Sequence, residues 1–325
     1  MQRSTKTELA LAICHLTFLS SSEKKIIFEK LESLTHLKSL SVEEMSKLVN
    51  RNLRTKDGLN KDFDKLVENC FKLMAAYKIE ACFMEDSAYP PLLKEIFDPP
   101  FMIFWRGNIE CLHQKCCGMV GTRRATAAGL KNAFNAASIL AQNGVTVVSG
   151  LAMGIDTASH KGALDARQSL IKANLQNGTN SELNENENVT ENIGKTAAVL
   201  ACGVENIYPA TNRKLAGQII QTGGCILSEY PPGQPAFTWT FPARNRIIAA
   251  LCQTTLVVQA PAGSGALITA DFALEQGRDL VFCSEALKYP AGKTDEKNAG
   301  KRSVQNYIEE GAPLIQAPEE ILNFV

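Results

Sequence analysis

The sequence predicts an α/β protein, a doubly wound and mostly parallel sheet preceded by a small all-α N-terminal domain. Three observations lead there. From about residue 115 onward, short apolar runs alternate with glycine turns and amphipathic helical patterns, as in successive βαβ units. Ahead of them, residues 1–80 contain no proline and a single glycine, Gly58, and their apolar residues recur every three or four positions. The length of 325 residues suits one large and one small domain at roughly 100–200 residues each.

In the N-terminal part, Leu9, Ile13 and Leu16 share one helical face. Capping boxes at Ser20/Glu23 and Ser41/Glu44 are predicted to start the second and third helices of a small helical domain spanning 1–80. That domain has no glycine pair to make a backbone-gripping hairpin, so packing or partner contact is its expected role. From Tyr89, prolines punctuate a linker into the strand Phe101-Met-Ile-Phe-Trp-Arg-Gly107. The large domain, 81–325, then reads as strand 117–121, helix 127–142, strand 145–149, a helix from about Asp156, strand 196–201 and helix 211–222. Strand 225–228, helix 244–251, strand 255–259, helix 264–276 and strand 280–283 complete it. Such sheets bind ligands beyond the carboxyl ends of their strands. Residues 167–195, rich in Asn and Glu, cannot bury enough surface to order themselves and read as a flexible polar insertion.

Composition narrows the function classes. Lys plus Arg number 34 and Asp plus Glu 34, so the net charge is zero and a nucleic acid could be held only by a local basic pocket. The ten cysteines lie mostly in apolar runs and never as Cys-x-x-Cys, which marks them as reduced and buried. The four histidines form no ligand pair, so neither a metal nor a cofactor is expected. The apolar run Leu9–Leu19 is interrupted by His15 and leads directly into the Ser20 capping box, so it reads as a helix rather than a leader. No run approaches the ~20 apolar residues of a membrane span, and a soluble, cytoplasmic protein is expected.

Four loops after strands gather the unusual residues. Gly121, Thr122, Arg123 and Arg124 combine a close turn with two guanidinium groups, either an anion site or a plain turn with solvated arginines. Ser149, Gly150 and Gly154 suit close approach of a phosphate, with Asp156 a helix cap and His160 a packed or surface side chain. Arg244, Asn245 and Arg246 begin an apolar helix and could contact phosphate and base, or form buried salt bridges. Phe237, Trp239 and Phe241 precede them as stacking faces or as a core strand. Gly263, Ser264 and Gly265 form a glycine turn into a helix that Ser264 is placed to cap. No nucleophile and base accompany these loops, which favours binding over catalysis.

The motifs Tyr89-Pro-Pro-Leu-Leu, Gly121-Thr-Arg-Arg-Ala-Thr, Ser149-Gly-Leu-Ala-Met-Gly-Ile-Asp and Leu227-Ser-Glu-Tyr-Pro-Pro-Gly are followed by Phe241-Pro-Ala-Arg-Asn-Arg-Ile-Ile-Ala. Ser264-Gly-Ala-Leu-Ile-Thr-Ala and Glu275-Gln-Gly-Arg come after it in the same order. Over roughly residues 85–315 the chain therefore resembles the DNA-processing protein A (DprA/Smf) family. The resemblance implies an extended Rossmann-like domain that binds single-stranded DNA, forms a homodimer and helps load the RecA recombinase during natural transformation. It places Arg123 on phosphates and Phe241, Arg244 and Asn245 along the strand's path. Ala210 stands where the resemblance implies a lysine, leaving Arg213 or Lys214 to substitute. Ser303-Val304-Gln305 replaces a Gly-x-Asn turn, and no C-terminal winged-helix domain is expected. The alternative is a nucleotide-processing enzyme similar to the lysine-decarboxylase-like phosphoribohydrolases. Their Pro-Gly-Gly-x-Gly-Thr loop reads Pro261-Ala-Gly-Ser-Gly-Ala here, and Thr269 takes the glutamate's place.

Overall fold

The computed structural model describes residues 3–54, 62–176, 193–288 and 302–325. Helices Thr5–Cys14, Ser21–Lys30, Leu34–Ser39, Val42–Leu48 and Phe63–Tyr77 form the N-terminal part. Serine hydroxyls of Ser4, Ser20, Ser33 and Ser41 each accept the backbone N–H three residues on and so cap four of them. Both predicted capping boxes form, but the Ser41 box starts the fourth helix. The Ser33-capped turn intervenes, too short to show a helical period in sequence.

A 9-stranded sheet follows, in spatial order β1-β2-β6-β5-β4-β3-β7-β8-β9. Its strands are β1 (Glu80–Phe83), β2 (Met102–Gly107), β3 (Cys116–Val120), β4 (Thr146–Ser149), β5 (Thr196–Val199), β6 (Cys225–Ser228), β7 (Thr254–Val257), β8 (Asp279–Cys283) and β9 (Leu314–Ile315). The pairs β1/β2 and β2/β6 are antiparallel and every other pair is parallel. The doubly wound, mostly parallel sheet that the sequence predicts is therefore present. Windings proceed from β3 outward through β4, β5 and β6, then return to the other side of β3 with β7 and β8, so the switch point lies between β3 and β7.

Side chains alternate between the two faces of the sheet, as the two-residue period requires. Ile103, Trp105, Val199, Leu227, Val257 and Phe282 pack beneath the helices Thr240–Ala250 and Gly265–Glu275. On the opposite face Met119, Val147, Leu256 and Val281 pack against Ala127–Gln142 and the first turns of Ile155–Gln176. Further along that face Met102, Phe104, Ala198 and Ile226 share one core with Leu9, Ile13, Leu37 and Phe63 of the helical part. All ten cysteines are free thiols and buried, as read from their apolar surroundings.

Three boundaries shift. The helix expected from 211 begins at Arg213, after a 3-10 turn at Ala210–Asn212. The helix expected from 244 begins at Thr240, because Pro242 lies in the first turn, where its missing N–H costs nothing. The helix from Ile155 continues to Gln176, so residues 167–176 belong to it and not to the insertion. The rest of the predicted insertion, 177–192, lies outside the described residues. At 193–195 the chain is already docked, with Ile193 buried and Gly194 N–H bonded to Ala141 O.

Candidate functional site

At the switch point a cavity of about 450 Å³ opens beyond the carboxyl ends of β3 and β7. Its wall is the 121–124 turn, Ala152 and Asp156, and the first turns of the Thr240–Ala250 and Gly265–Glu275 helices. Two helix N-termini thus face one space, and their partial positive charge favours an anion there.

The 121–126 turn is held from across the switch point. Thr122 N–H donates to Gln259 O at 2.7 Å. The buried Gln259 side chain accepts from Thr126 N–H at 3.0 Å and donates to Thr126 Oγ1 at 2.8 Å. Thr126 Oγ1 in turn caps the Ala127–Gln142 helix through Gly129 N–H. A Cβ on Gly121 would stand 2.5 Å from Ile155 Cγ1 and 2.9 Å from Gln259 O, so only glycine lets the turn lie this close. Gly154 has φ +78° and abuts the Thr122 and Arg123 carbonyls, fastening the neighbouring loop to the same turn.

Arg123 and Arg124 lie exposed on this turn and line the cavity. The Arg123 guanidinium sits 5.5 Å from the Phe241 ring centroid, and the Phe241 and Tyr208 rings are 5.4 Å apart. Tyr208 is half exposed and lines not this cavity but a small pocket of about 50 Å³ beside it, which it shares with Arg123 and Phe241, so a cation and two aromatic rings stand at this edge of the cavity. Arg213 and Lys214 are exposed at the start of their helix, five and six residues beyond Tyr208, and do not line the cavity. Gly265 and Ser264 line it while Gly263, with φ +65°, makes the turn. Ser264 holds the cap position but its hydroxyl makes no cap bond and is buried without a partner.

Several residues expected at the ligand do other work. Ser149 is fully buried and its hydroxyl donates to Met119 O, tying β4 to β3. Gly150 gives room to Arg244, since a Cβ there would meet Arg244 Nη1 at 2.5 Å. Arg244 is only 6% exposed and donates to the carbonyls of Gly150 and Val199. It touches the cavity wall, but its hydrogen bonds tie its helix to the loop after β4 and to the end of β5. Beside it Asp156, inside the first turn of its helix, accepts from Gly150 N–H and Ala152 N–H, both at 3.2 Å; it ties down the loop before the helix and does not cap the helix as expected. Burial pushes the Asp156 carboxyl above its usual range against the pull of Arg244, and burial lowers the Arg244 guanidinium against the pull of Asp156. Asn245 lines the cavity with its Nδ2 given to Gly265 O at 2.9 Å, which locks the two helices together. Arg246 points away and pairs with Glu229 at 2.5 Å and Asp98 at 3.7 Å, the buried salt bridge that competed with a ligand role. His160 is a core side chain whose Nδ1 lies 2.7 Å from Thr196 Oγ1. Because that hydroxyl donates to Val147 O, it accepts from Nδ1–H, and burial depresses the imidazole to about 3.

Two positioning residues escape sequence reading. Gln259 ends an apolar strand, where a polar residue signals a specific partner. Asn212, buried, gives its Nδ2 to Leu151 O at 2.8 Å and Thr157 Oγ1 at 2.9 Å. Nothing in its surroundings distinguishes it from a turn residue. The Phe237–Trp239 segment is neither strand nor core: both rings are nearly half exposed. Among the described residues no three His, Cys, Asp or Glu side chains gather as metal ligands.

Fold and site together define a doubly wound α/β protein with a cationic, aromatic-rimmed cavity at its switch point and a backbone framework braced around it. The chain belongs to the DNA recombination-mediator protein A family, whose model matches residues 80–325. The DNA processing protein DprA of Streptococcus pneumoniae is 35% identical over 237 residues, 73% of this chain and 71% of that one. The Bacillus subtilis DprA is 30% identical over 317 residues, 96% of this chain and 93% of its own. The X-ray structure of the S. pneumoniae protein superposes with a TM-score of 0.65 at 28% identity, covering 99% of this chain and 98% of that chain. A Helicobacter pylori DNA processing protein A, described for its single-stranded-DNA binding mode, shares the fold. Its TM-score is 0.56 at 24% identity, with 75% of this chain and 94% of that chain covered.

Proposed function

We propose that this protein binds single-stranded DNA in the switch-point cavity and acts as a recombination mediator, as a cytoplasmic homodimer that helps load the RecA recombinase. The observation that carries the reading is the cavity mouth. Arg123 and Arg124 are exposed beside two inward-facing helix N-termini, with Phe241 and Tyr208 presenting ring faces next to them. A phosphate meets guanidinium and backbone N–H groups there while a base meets a ring, a mode that tolerates sequence. Arg213 and Lys214 extend the positive surface past Tyr208 and take the part of the lysine that Ala210 lacks. The glycines at 121, 150, 154, 263 and 265 shape the backbone, while Ser149, Arg244, Asn245 and Arg246 brace it.

Binding rather than turnover is the reading the site chemistry supports. Asp156 is engaged by two backbone N–H groups and lies against Arg244. Thr269, where a phosphoribohydrolase would carry its glutamate, is buried and bonded to Gly265 O. The test is fluorescence anisotropy of labelled single-stranded and duplex oligonucleotides across a salt series, with nucleoside monophosphate breakdown followed in parallel. Salt-sensitive preference for the single strand is expected. Each phosphate contact adds about 0.7 to the log–log salt slope, so Arg123→Ala flattens it by about that amount. Between 50 and 200 mM salt, that is a difference of roughly 2.6-fold in how far affinity falls. An unchanged slope, or release of free base from a nucleotide, overturns the reading.

A further inference from the structure

We infer that a second base-stacking subsite lies at the joint between the helical domain and the sheet domain, on the Phe237/Trp239 pair; the inference rests on the single-stranded-DNA reading above. The two rings are parallel within 4° with centroids 6.0 Å apart, and they are 44% and 47% exposed. An apolar pair this exposed is ordinarily folded inward or covered. Here a backbone device holds it out. Thr240 Oγ1 accepts from Phe237 N–H at 3.1 Å and donates to Phe237 O at 2.8 Å, fixing residue 237 from one turn ahead. The same turn carries Phe241 into the first cavity, so the two aromatic positions are parts of one rigid segment.

Phe237 forms one wall of a separate cavity of about 570 Å³. The sheet domain contributes Gly233 and Gln234, and the helical domain contributes His15, Lys65 and Asn69. These walls are joined by the Cys70 thiol, which donates to Pro232 O at 3.2 Å and lies 3.3 Å from His15 Nε2. Gln234 is 5% exposed, and its Nε2 is buried without a partner. Its main chain is fixed, since Gln234 O accepts from Gly203 N–H at 2.9 Å, so the amide cannot be relieved by a shift of the segment. A buried donor without a partner is costly, and a ligand acceptor would satisfy it. Gly233, at φ +90°, keeps the space open, because a Cβ there would stand 2.6 Å from Asn69 Nδ2. A flat ring face, an unfilled amide donor and one ammonium group match a nucleotide, with the base on the ring, a base-edge oxygen on Gln234 and the backbone near Lys65; the Asp62 carboxylate on the same wall accepts from Lys65 N–H at 3.1 Å in capping its helix. The helical domain thereby contributes to strand binding as well as to packing.

The two tryptophans of the chain make the test direct, because Trp105 is 4% exposed in the sheet and Trp239 is open. Full-length protein is titrated with oligo(dT) while anisotropy and tryptophan emission are read together. The Trp239→Phe variant supplies the emission of Trp105 alone, and the difference isolates Trp239. The expected result is quenching of Trp239 that tracks the anisotropy. Trp239→Ala loses roughly 5-fold or more in affinity, the least a lost stacked base should cost, while Trp239→Phe stays near wild type. The salt slope is the same in all three, because no phosphate contact is removed. Binding with no quenching, or with affinity unchanged by Trp239→Ala, overturns the second subsite and leaves the first standing. No anisotropy change at low salt overturns both.

Discussion

Replacing Arg244 by alanine separates a strut from a ligand contact more sharply than any other change. Its guanidinium donates to the carbonyls of Gly150 and Val199 and lies beside the Asp156 carboxylate, almost wholly out of water. Removing it strands two buried carbonyl acceptors and takes the compensating charge from the buried Asp156 carboxyl, a loss of about 3–5 kcal/mol on the scale of removing one member of a buried charged set. For 325 residues, an unfolding entropy of about 2.1 cal/mol/K per residue makes each kcal/mol roughly 1.5 °C of Tm. The expected loss is therefore about 4–7 °C by differential scanning calorimetry. Arg123→Ala, at an exposed position, should leave Tm within about 1 °C and weaken only oligonucleotide binding. If Arg244→Ala keeps the wild-type Tm and abolishes binding, Arg244 is a ligand residue and the strut assignment is refuted.

Three other outcomes follow from the same framework. Gly154→Ala forces a Cβ to 2.4 Å from Thr122 O at a left-handed backbone position, so stability should fall by about 1–3 kcal/mol in urea unfolding, with weaker oligonucleotide binding as the 122–123 backbone moves. Gln259→Leu removes both bonds to Thr126 and should cost about 1–3 kcal/mol, while retaining the fold by circular dichroism. His160 titrates near 6.5 when unfolded and at about 3 when folded. Below pH 6.5 the unfolded chain therefore holds a proton that the native chain refuses. Stability from this group is complete above pH 6.5 and declines as pH falls toward 3, by at most about 1.4 kcal/mol per pH unit. Asp156, raised in the folded state, contributes with the opposite sign from its unfolded value of 3.8 upward. The His160 part is isolated by comparison: between pH 7 and 4 the urea midpoint of wild type should lose more, or gain less, than that of His160→Gln.

The order of strands and helices was legible because each core strand shows the apolar run, and each crossover the helical period, that its place requires. The loops after β3, β4 and β7 could be located for the same reason. What the sequence could not reveal was the depth of each polar side chain. Arg123 and Arg244 look alike in a string, yet one stands on a turn in solvent and the other follows a helix into the gap that Gly150 leaves. Arg246 separates from Arg244 by a helical rotation of two residues, about 200°, which turns it toward Glu229. The start of that helix was misplaced because Phe237, Trp239 and Phe241 alternate like a strand, and nothing local shows that Thr240 closes a turn between them.

The Gln259 clamp has a consequence for how the site responds to its ligand. Thr122 and Thr126 are both fastened to residue 259, and the Val258 N–H to Val120 O bond continues the ladder to the lip of the cavity. The 121–126 lip of the cavity is thus held at the spacing of two adjacent strands, set by the sheet itself. That lip cannot shift without parting β3 from β7 at their ends. A ligand entering the cavity meets a lip already in place, so on the proposed single-stranded-DNA reading the ordering entropy of association falls on the DNA chain.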